Sequence, residues 1–209
     1  MKRWVGWCLL GLLGLVLGAH AQSEFPGMSN DHQYEDLLDA AFPRPYPPCG
    51  TGLGDGALII RSLPSFGKES QIYIYLCEKN IYIYRFQIAS EKSLWSSLQL
   101  GENPAELSIP YIVSHTKIVE TICEKPSTST RSVIEKFFIL QPKVEPSSVS
   151  VADGKWFDVW FITGLVTTYY HVLDSAKDPD PHPVARWAHG LVETLNNEQW
   201  KEVSIQRQR

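Results

Sequence analysis

Alternating side chains predict a β-hairpin near the start of the folded region. Segment 71–88, QIYIYLCEKNIYIYRFQI, contains Ile-Tyr-Ile-Tyr twice, with the period of two that a strand requires. A turn with an even number of residues separates an aromatic face from an aliphatic one, whereas a three-residue turn would mix them. We favour separation of the two faces, because it lets the aliphatic face pack on helices. It places Tyr73, Tyr75, Cys77, Tyr82, Tyr84 and Phe86 on one face, and Ile72, Ile74, Leu76, Ile81 and Ile83 on the other.

Segment 155–173, KWFDVWFITGLVTTYYHVL, predicts a second hairpin. We place its two-residue turn at Thr163-Gly164, because glycine tolerates the positive φ that such turns require. One face is then apolar, and the other is rich in aromatic and polar groups. In this register Trp156 lies opposite His171, and Asp158 lies opposite Tyr169.

The remaining periodicities predict further strands and helices. ALIIRSL at 57–63 is typical of a strand, and YIVSHTKIVETIC at 111–123 is interpreted as a strand because of its many β-branched residues, although its spacing also permits a helix. Apolar residues at helical spacing predict helices at 129–140 and 183–197. The predicted fold class is α+β: an antiparallel sheet of hairpins with two or three α-helices on one face, preceded by a Pro/Gly-rich N-terminal arm.

The two ends of the chain indicate export and a single folded domain. Residues 1–21 have the cationic start, short apolar run and Ala-His-Ala ending of a secretory signal peptide. Residues 22–56 are interpreted as an arm or linker with a possible short helix, 57–200 as one α+β domain, and 201–209 as a polar tail. We therefore expect a secreted or periplasmic protein, cleaved near Ala21, without a membrane span.

Charge and composition restrict the partners. The formal net charge is −4, and removal of Lys2 and Arg3 with the signal peptide makes the remainder more acidic. Nucleic acid is thus not an expected partner. The absence of any Asn-x-Ser/Thr acceptor favours a bacterial source.

Three cysteines remain after the signal peptide: Cys49, Cys77 and Cys123. An odd number permits one intrachain disulfide and leaves one thiol. A bond that involves Cys123 is favoured, with its partner undecided, since Cys49 can reach either of the other two.

The second hairpin carries the main candidate binding surface. Indoles beside a carboxylate and an imidazole can stack sugar rings or peptide side chains and form hydrogen bonds at their edges. The alternative is that this face packs beneath a helix or the arm. The candidate ligand-binding residues are Trp156, Asp158, Trp160, Tyr169 and His171, with Tyr73, Tyr75, Tyr82 and Tyr84 if the tyrosine face is open to water.

Catalytic motifs are lacking. His171 and Asp158 can form a base and its orienting group, but the sequence contains no nucleophile elbow, HExxH or phosphate-binding loop in the right context. No catalytic residue, metal site or cofactor is assigned. A short acidic segment alternates with prolines and contains Asp178, Asp180 and His182. Such a segment more often ends one secondary-structure element and starts the next than it binds a metal ion.

Three functional hypotheses follow. The first is a non-enzymatic binding or inhibitory module that uses the aromatic sheet face, with a protein or glycan partner. The second is a structural or assembly subunit of an envelope or extracellular complex that uses sheet edges. The third is a hydrolase that depends on His171 and Asp158. The oligomeric state is not predicted.

Overall fold

The computed structural model describes residues 27–49, 56–64, 67–77, 80–100, 106–139, 154–163, 166–175 and 180–203. Their elements, in chain order, are α1 (Gly27–Ala41), β1 (Gly56–Pro64), β2 (Ser70–Cys77), β3 (Asn80–Ile88), α2 (Leu94–Gln99), α3 (Ile109–His115), β4 (Ile118–Cys123), α4 (Thr128–Ile139), β5 (Lys155–Thr163), β6 (Val166–Asp174), α5 (Pro183–Leu195) and β7 (Lys201–Glu202). The strands form one sheet in the order β6-β5-β1-β2-β3-β4-β7, and every pair is antiparallel. The predicted α+β class is confirmed.

Helices α4 and α5 cover the aliphatic face of the sheet. Trp187 and Leu191 of α5, with Ile134 and Phe137 of α4, join one buried cluster with the strand side chains. That cluster contains Leu58, Ile60, Ile72, Ile74, Ile83, Phe157 and Val159. The helical stripes predicted for these two segments therefore pack where the sequence places them.

Helices α1, α2 and α3 cover the opposite, aromatic face. Tyr73, Tyr75 and Phe86 form a second buried cluster there with side chains of the three helices, namely Leu37, Leu38, Leu94, Leu98 and Ile112. The sheet thus lies between two layers of helices. Sequence analysis predicts helices on one face only, because it assigns α1 to the arm and α3 to a strand.

The first hairpin has a turn with an even number of residues, as predicted. Tyr73 pairs with Tyr84, Tyr75 with Tyr82, and Cys77 with Asn80, which leaves two residues between the strands. The aromatic and aliphatic faces are therefore separated as predicted.

The second hairpin turns one residue later than predicted. Thr163 pairs with Val166, so residues 164 and 165, rather than 163 and 164, link the strands. Asp158 consequently lies opposite His171 instead of Tyr169. A shift of one residue in the turn moves the partners by two, which keeps each side chain on its predicted face.

The segment predicted as a strand at 111–123 is half helix. Helix α3 has a proline in its first turn and ends at His115, and the backbone of the following Thr116 is extended (φ −97°, ψ 122°). Ile112 is buried against the aromatic face. Burial of this side chain outweighs the lower helix propensity of β-branched residues, and only Ile118–Cys123 forms a strand.

The proline-rich segment 42–49 lies along β2 on the aromatic face. The hydroxyl of Tyr73 donates a hydrogen bond to the carbonyl of Phe42 (2.8 Å), and the hydroxyl of Tyr75 donates one to the carbonyl of Pro45 (2.7 Å). Both tyrosines are buried, with 4% and 3% exposure. The tyrosines of β2 therefore hold this segment on the sheet.

A disulfide joins Cys49 to Cys77, and Cys123 is a buried free thiol. The preference for a bond through Cys123 is therefore wrong. Cys77 lies on the aromatic face, whereas Cys123 pairs with Ile83 and belongs to the aliphatic cluster. Because the two thiols lie on opposite faces of the sheet, they cannot meet.

Candidate functional site

Two aromatic stacks lie on the α1 side of β5 and β6. The Trp156 ring stacks on His171, with centroids 4.4 Å apart and planes 12° apart. Trp160 stacks on Tyr169 at 5.2 Å and 29°. The observed register produces both contacts, because Trp160 and Tyr169 face each other and His171 is diagonal to Trp156. All five candidate residues of the second hairpin thus form one cluster.

Asp158 lies behind these rings and orients two of them. Its side chain is buried, and Oδ1 accepts hydrogen bonds from the Tyr169 hydroxyl (2.8 Å) and from Nδ1 of His171 (2.6 Å). A carboxylate only accepts, so the imidazole carries its proton on Nδ1. This bond to Asp158 raises the pKa of His171 above its usual value, although partial burial opposes the shift. Burial, reinforced by Asp158, also raises the pKa of Tyr169.

A row of polar side chains extends from this cluster across the sheet. Arg61 pairs in register with Asp158 on one side and with Gln71 on the other. Its guanidinium donates to Gln71 Oε1 (2.6 Å) and to Asp39 of α1 (2.5 Å), and it lies over the Trp160 ring at 5.1 Å. These contacts satisfy a buried cation and connect α1 to the sheet.

An open cleft of about 810 Å³ borders the cluster at the end of the sheet where β1 finishes and β5 begins. Trp156 and His171 line it on the sheet side, and Tyr34 of α1 and Trp95 of α2 line it on the helix side. The last two rings meet edge to face at 4.9 Å. We call this site the aromatic cleft. Its other lining residues are Leu63, Pro64, Gly67, Lys68, Glu91, Lys92, Ser93, Ser96 and Leu100.

Glu69 fixes the helix side of the aromatic cleft. Its carboxylate is only 2% exposed and accepts three hydrogen bonds: from the Tyr34 hydroxyl (2.8 Å) and from the backbone N–H groups of Leu94 and Trp95 (2.9 Å each). The carboxylate therefore satisfies two N–H groups of the first turn of α2 that have no partner within the helix. One buried anion thus positions both aromatic rings.

The structure divides the predicted site residues into three groups. Trp156 and His171 line the aromatic cleft, and Asp158, Trp160 and Tyr169 support or flank them. Tyr73 and Tyr75 are buried beneath the proline-rich segment, and they cannot form an open ligand-binding surface. Tyr82 and Tyr84 are half-buried and pack against the same cluster as these two tyrosines.

Sequence analysis missed Tyr34, Glu69 and Trp95. Three segments separated in sequence build this side of the cleft, so no local motif indicates it. The available signal is a tyrosine and a tryptophan at helical spacing from buried leucines of α1 and α2.

The hydroxyl groups in the cleft are engaged in capping rather than in a catalytic dyad. Ser93 Oγ accepts from the Ser96 N–H (3.0 Å) and donates to Ser96 Oγ (2.8 Å). His171, with Nδ1 bound to Asp158, can exchange a proton with the cleft only through Nε2. In the described part of the chain, no group of three or more His, Cys, Asp or Glu side chains is arranged to hold a metal ion. His182 accepts a hydrogen bond from the Val184 N–H at the start of α5, and Asp178 lies outside the described residues.

No protein-family model, curated protein or solved structure matches this chain. Within the described ranges, no helix has the length and hydrophobicity needed to cross a membrane.

Proposed function

We propose that this protein is a secreted, non-enzymatic binding module whose aromatic cleft holds sugar rings of a glycan. The observation that carries the proposal is the cleft itself: about 810 Å³ of open space with Tyr34, Trp95, Trp156 and His171 on facing sides. Concave sites lined by aromatic rings and a few polar groups are typical of ligand-binding sites.

Ring faces favour a sugar over an extended peptide. The C–H groups of a pyranose carry a small positive charge, and the face of an indole carries a negative one, so the two surfaces attract each other. A peptide strand instead requires an edge of backbone N–H and C=O groups. Aromatic side chains line both sides of the cleft, and Glu69 already holds the Tyr34 hydroxyl and the Trp95 backbone on the helix side.

The Cys49–Cys77 disulfide supports action outside the cytoplasm, because structural disulfides persist in oxidising compartments. The signal-peptide pattern of residues 1–21 points to the same compartment. The working location is therefore the periplasm or the extracellular space.

A screen of immobilised glycans followed by calorimetry tests the proposal. The wild type and a Trp156→Ala variant are compared with Tyr111→Ala, a matched control that removes an exposed aromatic residue outside the cleft. We expect Trp156→Ala to weaken binding about tenfold, since an aromatic contact contributes about 1 kcal/mol beyond its buried area. Tyr111→Ala should bind like the wild type. Equal affinity of all three proteins, or no binding to any glycan, contradicts the proposal.

The sheet edge favours a second candidate function, assembly into a larger complex. β6 is the outermost strand on its side of the sheet among the described residues, and Tyr169 on it is half exposed. Outermost strands present unpaired backbone groups to a partner strand. Light scattering over a range of concentrations tests this: a dimer that Tyr169→Lys dissociates supports assembly, and a monomer throughout excludes self-assembly through this edge.

A further inference from the structure

Charge around the aromatic cleft differs from charge over the chain as a whole. The chain has 19 basic and 23 acidic side chains, yet the cleft is lined by Lys68, Lys92 and His171 against the single acid Glu91. Both lysines are exposed, and neither ammonium group forms an ion pair with any described residue. The cleft therefore presents two lysine ammonium groups that no described acid neutralises by direct contact, whereas His171 is bound to Asp158.

The fold connects the two backbone segments that carry the lysines. Lys68 precedes Glu69, and Lys92 lies two residues before Leu94. The Glu69 carboxylate binds the backbone N–H groups of Leu94 and Trp95, which holds the two segments together. The two lysines thus lie on backbone segments that are connected and anchored, and little of that backbone needs to be ordered when a ligand binds.

We propose that the ligand of the aromatic cleft is an acidic glycan, whose carboxylate or sulfate groups bind Lys68 and Lys92 while its sugar rings lie against Trp95 and Trp156. This inference rests on the proposed glycan-binding function and adds the chemical class of the ligand. A lysine ammonium group is a compact charge that accepts an anion from any direction, so it suits sulfate and carboxylate alike.

Calorimetry with three oligosaccharides separates the possible sources of the negative charge. The probes are a heparin-derived hexasaccharide with sulfate and carboxylate groups, hexagalacturonate with carboxylates alone, and neutral cellohexaose. A Lys68→Gln/Lys92→Gln double variant is compared with Lys125→Gln/Lys201→Gln, which removes the same charge from exposed positions outside the cleft. Circular dichroism confirms that both variants fold.

We expect at least one acidic probe to bind the wild type about tenfold more tightly than cellohexaose at about 50 mM salt, and this advantage to shrink at about 300 mM. The cleft double variant should lose about tenfold affinity for the acidic probe, while the control variant keeps it. Tighter binding of the heparin fragment identifies sulfate as the main determinant, and equal binding of both acidic probes identifies carboxylate.

Two results overturn the inference and differ in what they leave intact. If cellohexaose binds as tightly as the acidic probes and Trp156→Ala weakens it, the ligand is a neutral glycan and the proposed function stands. If no probe binds, or if the control variant loses as much affinity as the cleft variant, the acidic-glycan assignment fails. Absence of all saccharide binding in the wider screen removes the proposed function as well.

Discussion

Replacement of Glu69 by glutamine should destabilise the fold and loosen the aromatic cleft together. Glu69 is almost fully buried, and its carboxylate receives the Tyr34 hydroxyl and the first two N–H groups of α2. Glutamine has nearly the same shape, so the change removes the charge and one acceptor oxygen without opening a cavity. The amide N–H₂ group of glutamine would then face hydrogen-bond donors and could not accept a hydrogen bond from them.

The magnitude follows from these contacts. A hydrogen bond to a charged group contributes about 1.5–3 kcal/mol net, and glutamine can keep good geometry with only some of the three donors. The neutral amide is less costly to bury than the carboxylate, which offsets part of the loss. We expect a decrease of about 2–3 kcal/mol in the free energy of unfolding.

Guanidinium unfolding monitored by tryptophan fluorescence measures this decrease. With a denaturant slope of about 5 kcal/mol per molar, the midpoint should fall by about 0.5 M. The matched control is Glu91→Gln, an exposed carboxylate of the same cleft, which should stay within about 0.5 kcal/mol of the wild type. If Glu69→Gln is as stable as this control, Glu69 does not link α1, α2 and the sheet as described.

Three further changes have defined outcomes. Cys49→Ser/Cys77→Ser opens a loop with a sequence separation of 28 and should lower the free energy of unfolding by about 3.5 kcal/mol in denaturant titrations; no change would contradict a native disulfide. His171 has a raised folded-state pKa, so its stabilisation of the fold is complete below about pH 6.5 and is lost as pH rises through the folded pKa. The difference in free energy of unfolding between the wild type and His171→Gln should decrease over this pH range. Asp158→Asn should abolish that pH dependence. Leu191→Ala should cost about 3 kcal/mol in thermal melts, because Leu191 is fully buried in the aliphatic cluster.

The separation of aromatic and aliphatic faces in the first hairpin could be predicted from sequence. Ile and Tyr alternate on both strands, so any slip by one residue would mix aliphatic and aromatic side chains on each face. Trp187 and Leu191 likewise define a helical stripe that only the aliphatic face can receive. These signals are local, and burial reinforces them.

The errors arise where tertiary contacts decide between locally similar alternatives. Turns at 163–164 and 164–165 keep the same faces, so side-chain pattern alone cannot distinguish them, and the pairing of Trp160 with Tyr169 selects the later turn. The sequence leaves the disulfide partners open, because Cys49 can reach either of the other two cysteines. In the structure β3 lies between the strands that carry Cys77 and Cys123, and the two thiols lie on opposite faces of the sheet.

The sheet side of the candidate site could be predicted from the sequence, and the helix side could not. Trp156, Asp158 and His171 lie on two adjacent strands, and the hairpin alone brings them together. Tyr34 and Trp95 reach the cleft only because α1 and α2 pack on the aromatic face and share Glu69. That arrangement depends on contacts between residues more than twenty positions apart, which no periodicity encodes.

Indole N–H resonances test the central claim that the aromatic cleft is the binding site. In a two-dimensional nitrogen–proton spectrum, titration of the tightest-binding oligosaccharide should shift the signals of Trp95 and Trp156. The signals of Trp187 and Trp200 should stay in place, because their indole N–H groups are bonded to the carbonyls of Val133 (2.6 Å) and Leu195 (2.9 Å) away from the cleft. Binding that leaves Trp95 and Trp156 unchanged would contradict the account.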